Sequence, residues 1–115
     1  MRLRLAVFFA LTTVLPSLSY ADLARGKELF GQRCASCHGN GGAGDGPVAA
    51  AFPADQKPRN LTEAKFKYAT DDAKMLNLLH KGGSGVGLSA LMPPQPDLPD
   101  ADLKSIIEFV RTLKK

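Results

Sequence analysis

The stretch Cys34-Ala35-Ser36-Cys37-His38 is a C-x-x-C-H run. Two thiols three positions apart lie on the same side of a helical turn, and the imidazole that follows lies one position further round. With this geometry each thiol reaches one vinyl group of a haem, while the imidazole points at the iron. The run therefore predicts one covalently attached haem c, bound through Cys34 and Cys37, with His38 as an axial ligand of its iron.

Three other uses of a C-x-x-C pair are a disulfide, a redox-active dithiol and half of a zinc site. A zinc site requires two further ligands of Cys or His type, whereas the chain contains no third cysteine and only His80 besides His38. A thioredoxin-like dithiol requires alternating strands and helices around it, and the flanking sequence has almost no strand-like alternation. These surroundings favour haem attachment.

The N-terminus has the composition of a secretory signal peptide. Arg2 and Arg4 form a positive start, residues 5–15 are an almost unbroken apolar run, and Ser19 and Ala21 have the small-x-small spacing of a cleavage site. The apolar run is too short for a membrane-spanning helix, which needs roughly twenty apolar residues. The sequence therefore predicts export to the bacterial periplasm, without a stable membrane span.

Removal of the predicted signal peptide, residues 1–21, leaves residues 22–115 as one small domain. A chain of that size buries only about 60 to 70% of its unfolded surface, so an apolar cofactor at its centre would supply much of the core. Loss of Arg2 and Arg4 lowers the formal net charge from +4 to +2, and two ionised haem propionates bring it close to zero. This balance differs from the dense Lys and Arg patch of a nucleic-acid-binding protein, so no nucleic-acid partner is expected.

Apolar residues that repeat at three- and four-residue steps predict an all-α protein. The predicted helical segments are 22–33, 62–66, 70–81 and 100–113. Each begins at a side chain suited to capping a helix N-terminus, namely Asp22, Thr62, Thr70 or Asp71, and Asp100. Gly26 is a poor helix former, which predicts that another helix crosses closely there. The expected fold has about four helices around one covalently bound haem.

A glycine-rich loop over residues 39–47 follows the motif. A loop directly after an iron-binding histidine is expected to pack against the haem and to orient the imidazole. Metal-binding imidazoles donate their second N–H group to an acceptor that fixes the ring. We predict that the carbonyl oxygen of Pro47 accepts this bond from Nδ1 of His38.

A haem that carries electrons needs a second axial ligand, whereas an open position binds small molecules or supports chemistry. The candidates beyond the signal peptide are Met75, His80 and Met92. Met75 lies among leucines in a predicted helix, where methionine is usually a core residue, and His80 lies at the end of that helix. Met92 begins a stiff, proline-rich segment, far enough along the chain from His38 to reach the other haem face. Met92 is therefore the predicted second axial ligand.

The chain also contains a wider set of features that occur together in one family. They are the Cys34–His38 run, Gly26, Phe30, the loop Gly44-Asp45-Gly46-Pro47, the pair Met92-Pro93, and Leu103, Ile106, Ile107, Phe109, Val110 and Leu113 of the last helix. Together they resemble a monohaem class I c-type cytochrome over residues 22–115. The resemblance implies the all-α cytochrome c fold. It also implies that the first and last helices cross through Gly26, Phe30 and Phe109, where many members have Tyr or Trp in place of Phe109.

The expected function is to carry single electrons between redox-partner proteins, as a monomer or as a subunit of a redox complex, rather than to act as an enzyme. Two alternatives stay open on the sequence. One is a haem subunit of a larger oxidoreductase whose main task is docking. The other is a ligand-binding or catalytic haem protein with a labile sixth ligand, for which His80 is the candidate acid–base group.

Overall fold

The computed structural model describes residues 6–13, 20–63 and 65–115. Four α-helices lie in these ranges, namely α1 (Tyr20–Arg33), α2 (Ala35–His38), α3 (Asp72–Lys81) and α4 (Asp100–Thr112). Short 3-10 turns occur at Ala49–Ala51, Ala54–Gln56 and Ser84–Val86. The described residues contain no strand, and the predicted all-α fold with about four helices is confirmed.

The predicted signal peptide lies partly outside the described residues, which omit 1–5 and 14–19. Residues 6–13 have no regular secondary structure. None of the described helices combines the length and apolar character needed to cross a membrane.

Helices α1 and α4 cross in close contact at Gly26. A Cβ atom placed on Gly26 would overlap the carbonyl oxygen of Ser105 and lie 3.1 Å from Cβ of Phe109. One turn further along α1, the ring of Phe30 packs against the ring of Phe109, with centroids 5.2 Å apart and an interplanar angle of 57°. The crossing that the family resemblance implies through these three residues is confirmed.

The core lies between α1, α3 and α4. Its buried apolar side chains include Leu29 and Phe30 of α1, Met75, Leu78 and Leu79 of α3, and Leu103, Ile106, Ile107 and Val110 of α4. Arg111 also forms an ion pair of 2.7 Å with Asp72 across α4 and α3. The buried apolar side chains of these three helices form one hydrophobic core.

The ends of α3 and α4 are formed in different ways. Asp71 caps α3, because its carboxylate accepts a hydrogen bond of 2.8 Å from the N–H group of Lys74. Helix α4 begins at Asp100, which was predicted to be its cap, but Pro99 occupies the cap position and no side chain caps the helix. Asp100 instead lies in the first turn, where its negative charge still favours the positive end of the helix.

The prediction of a short helix over residues 62–66 is wrong, because none of the four residues that the structure describes in that range is helical. Oδ1 of Asn60 accepts hydrogen bonds from the backbone N–H of Thr62, at 3.0 Å, and from its hydroxyl, at 2.7 Å. Local side-chain bonds of this kind compete with helix formation. Asn60 therefore closes a turn at the position where Thr62 was expected to cap a helix.

The aromatic contact at the crossing should dominate the stability of the helix pair. We expect Phe30→Ala to lower the free energy of unfolding by about 3 to 5 kcal/mol, since Phe30 is only 2% exposed. Phe109→Ala should cost less, because Phe109 is only partly buried. Denaturant titrations measure both, and the double variant should lose less than the sum because the rings are in contact. Strictly additive losses would contradict the contact.

Candidate haem-binding site

The C-x-x-C-H run forms a single helical turn directly after α1. The N–H of Cys34 still bonds to the carbonyl oxygen of Phe30 at 2.9 Å, and the N–H of His38 bonds to that of Cys34 at 2.8 Å. These bonds place Cys34, Cys37 and His38 within one helical turn. Both cysteines have free thiols. The local geometry is therefore that of two thiols and an imidazole presented together.

All three side chains line one cavity of about 470 Å³. Its apolar wall comes from the core and the loops and includes Phe30, Phe52, Leu61, Phe66, Leu78, Leu79, Leu88, Ile106 and Val110. Met92 lies on the same wall. The structure thus brings together four of the five predicted site residues, namely Cys34, Cys37, His38 and Met92, in one apolar space.

The environment of Cys34 keeps its thiol neutral. The pKa of Cys34 is raised to about 11, chiefly by burial and also by the nearby Cys37, while Arg33 opposes the change. A neutral thiol suits an apolar wall, because a buried thiolate would need a compensating charge.

The imidazole of His38 is oriented by the main chain. Its Nδ1 lies 2.9 Å from the carbonyl oxygen of Arg59. A carbonyl oxygen only accepts, so Nδ1 carries the proton and Nε2 keeps its lone pair for a metal. Burial lowers the pKa of His38, and the bond to Arg59 partly offsets this shift. His38 is therefore held as the neutral imidazole that an iron ligand requires.

The predicted acceptor for this bond was Pro47, and that prediction is wrong. The glycine-rich loop folds back on the backbone of the motif, with the N–H of Gly44 bonded to the carbonyl oxygen of His38 at 2.8 Å. Pro47 lies with Ser36 in a separate surface cleft. The loop therefore packs behind the motif, while Arg59 supplies the acceptor from further along the chain. A main-chain carbonyl has no residue-type signal, so sequence could not single it out.

The three candidate sixth ligands occupy different places. His80 is exposed, and its Nε2 lies 2.9 Å from the carboxylate of Asp100, away from the cavity wall. Met75 is buried in α3 and also contributes to the wall. Met92 is partly buried at the end of a loop whose backbone is fixed by a 2.9 Å bond from the N–H of Gly83 to the carbonyl oxygen of Met92. Two methionines thus face the cavity, one on a helix and one on a loop.

The residues present fit a haem. The wall is mainly apolar, as a porphyrin ring requires, and it carries two thiols that suit the vinyl groups. It also carries an imidazole nitrogen and thioether sulfurs, which are donors that haem iron accepts. Cationic and hydroxyl groups also lie on it, as two propionates would require, and they are Arg33, Lys57, Arg59, Lys67 and Tyr68. The cavity volume is also within the range of small-molecule and cofactor sites, about 300 to 1,000 Å³.

Several known proteins are similar to this chain in sequence. Residues 23–114 match the protein family described as cytochrome c. Cytochrome c-554(547) of Halothiobacillus neapolitanus is 33% identical over 99 residues, which cover 81% of this chain and 98% of that protein. The Cbb3-type cytochrome c oxidase subunit FixP of Bradyrhizobium diazoefficiens is 29% identical over 100 residues, which cover 86% of this chain and 30% of FixP. The chain therefore spans less than a third of that relative's length.

Among solved structures, the Kuenenia stuttgartiensis reducing HAO-like protein complex contains a similar chain. The TM-score is 0.70 at 26% identity, and the match covers 84% of this chain and 46% of that chain. The family match spans nearly all of the residues from α1 to α4, and the attachment run lies within it. The chain therefore belongs to the cytochrome c family, as a class I c-type cytochrome.

Proposed function

We propose that this protein carries single electrons through one haem c, attached at Cys34 and Cys37 and bound axially by His38 and Met92. The observation that carries this proposal is that the attachment run and Met92 line the same apolar cavity. When bound, the haem supplies reversible one-electron exchange at its iron. The domain that does this is residues 22–115, after removal of a signal peptide over residues 1–21 and export to the periplasm.

The roles of the protein side chains follow from their positions. The two thiols keep the cofactor in place through every redox cycle, and the Arg59 carbonyl fixes the ring of His38. A thioether sulfur favours ferrous iron, and the apolar wall disfavours added charge, so both raise the potential. The candidate acid–base group, His80, is paired with Asp100 outside the cavity. The arrangement supports electron transfer rather than catalysis.

A second candidate function is a haem component of a larger redox complex. Two similarities favour it: FixP is described as an oxidase subunit, and the similar solved chain belongs to a reducing HAO-like protein complex. In that case the redox partners would be neighbouring subunits rather than proteins met by diffusion. The chemistry of the cavity is the same in both cases.

A potentiometric titration of the purified holoprotein tests the proposed function. We expect one reversible one-electron step when the titration is monitored by absorption. A haem iron with two protein ligands can change its oxidation state without exchanging a ligand. The reduced protein should bind carbon monoxide slowly, since the ligand would first have to displace Met92. Rapid binding of carbon monoxide together with an irreversible titration would instead favour a gas-binding or catalytic haem protein.

A further inference from the structure

The segment of residues 56–59 contacts both sides of the cavity. At one end, the carbonyl oxygen of Arg59 accepts the 2.9 Å bond from Nδ1 of His38. At the other end, Oε1 of Gln56 accepts a partly buried 2.9 Å hydrogen bond from the hydroxyl of Ser89. Ser89 belongs to the loop that carries Met92. One short segment therefore contacts the histidine directly and the methionine through its loop.

Lys57 holds this segment in place. Its Nζ donates to the carbonyl oxygens of Ala49, at 2.9 Å, and Ala50, at 3.3 Å. Both carbonyls belong to the 3-10 turn Ala49–Ala51. Since these bonds tie the segment to the loop after the motif, Gln56 extends from a fixed backbone.

Ser89 organises the loop of Met92. Its hydroxyl donates to Gln56 and accepts from the N–H of Leu91 at 3.1 Å, and its carbonyl oxygen accepts from the N–H of Met92 at 3.2 Å. The Ser89 backbone also lies against Gly83, where a Cβ atom would overlap the Ser89 carbonyl oxygen. The N–H of Gly83 in turn donates to the carbonyl oxygen of Met92. The position of Ser89 therefore affects the backbone contacts on both sides of Met92's loop.

The chain after Met92 is held by different bonds. The N–H of Gln95 bonds to the carbonyl oxygen of Leu79 at 2.8 Å, and Arg33 donates to Oε1 of Gln95 at 3.3 Å. Arg33 also forms two hydrogen bonds with the carboxylate of Asp97, of 2.9 and 2.6 Å. These contacts fix the chain after Met92 independently of Gln56, so the bond between Gln56 and Ser89 holds the part before it.

We propose that Gln56 and Ser89 are positioning residues that hold the loop of Met92 in place for binding to the haem iron. This proposal rests on the proposed function, in which Met92 is the second axial ligand. Without the bond, the loop opens more often and an external ligand reaches the iron more easily. A typical net contribution of one hydrogen bond corresponds to about a fivefold change in the population of the open loop.

The rate at which cyanide binds to the ferric holoprotein tests this role. We expect Gln56→Leu and Ser89→Ala each to raise that rate about fivefold. Ser89→Thr keeps the hydroxyl without adding charge to the cavity wall, so it should keep the wild-type rate. Thr112→Ala is the matched control, because it removes a hydroxyl bond of 2.6 Å, to the carbonyl oxygen of Phe109, outside the cavity wall. Its rate should not change.

A double variant separates a shared bond from two unrelated effects. If Gln56 and Ser89 act through one bond, Gln56→Leu combined with Ser89→Ala should bind cyanide no faster than the faster single variant. The proposal is overturned if both single variants bind at the wild-type rate. It is also overturned if the two effects multiply, or if Ser89→Thr binds cyanide as fast as Ser89→Ala.

A further variant distinguishes this proposal from the ligand assignment. Met92→Ala should bind cyanide faster than either loop variant, because no methionine is left to displace. If Met92→Ala binds at the wild-type rate, Met92 is not the ligand. Hydrogen exchange at the N–H groups of Gly83 and Met92 then decides whether the pair holds the loop, with Thr112→Ala as reference. In Gln56→Leu, faster exchange at Gly83 supports the pair and unchanged exchange overturns it.

Discussion

Protein in which both Cys34 and Cys37 are replaced by alanine should lose all haem stain after denaturing electrophoresis. In the wild type the stain should persist, because thioether bonds survive when the fold is lost. The structure gives both thiols a position on the cavity wall, and the residues facing that wall offer no other group that bonds covalently to a vinyl carbon. The expected change is therefore complete loss rather than a fractional decrease.

Ser36→Ala is the matched control for this experiment, since Ser36 lies between the two cysteines and is exposed. It should keep the full stain. Each single variant retains one thiol and should keep a weaker stain through one bond. Stain that remained in the double variant would contradict attachment at this motif.

Met92→Ala should convert the haem from a closed to an open site. The ferric protein should lose its weak far-red sulfur-to-iron absorption band, and the reduced protein should bind carbon monoxide readily. The potential should fall on the order of 100 mV, because axial ligands set haem potentials over a range of about 0.8 V and the thioether favours ferrous iron. Absorption spectra and a redox titration measure all three.

Met75→Ala provides the comparison, because Met75 is the other methionine on the cavity wall. It is 6% exposed, so its truncation should cost about 2 to 5 kcal/mol of stability. The far-red band, the potential and the resistance to carbon monoxide should stay as in the wild type. If Met75→Ala removed the band and Met92→Ala kept it, the two methionines would exchange roles.

The features that the sequence predicts correctly depend on side chains and local spacing. The spacing of Cys34 and Cys37 places both thiols on one turn wherever that turn lies in the protein. Gly26 is informative because a residue without a side chain in the middle of a helix indicates that another helix lies close to it. The contact between Phe30 and Phe109 came from the family resemblance, because nothing in the local sequence of either residue names its partner.

The features that the sequence predicts wrongly depend on how distant parts of the backbone meet. Pro47 is near His38 in the chain, but the loop between them folds behind the motif, and the acceptor comes from Arg59. Asn60 closes a turn through its own side chain and so prevents the helix expected at Thr62. The contact between Gln56 and Ser89 joins two loops, and loops have no periodic pattern that would reveal a partner.

The hydrogen bond that orients His38 ends on the main chain of Arg59, and this has a consequence for mutational tolerance. Every amino acid has a backbone carbonyl oxygen, so a substitution at residue 59 leaves the acceptor of this bond present. The guanidinium of Arg59 bonds separately to the carbonyl oxygen of Lys65 and to Glu63 at the surface. The orientation of the imidazole therefore depends on the path of the backbone at position 59, whereas the guanidinium of Arg59 serves separate contacts.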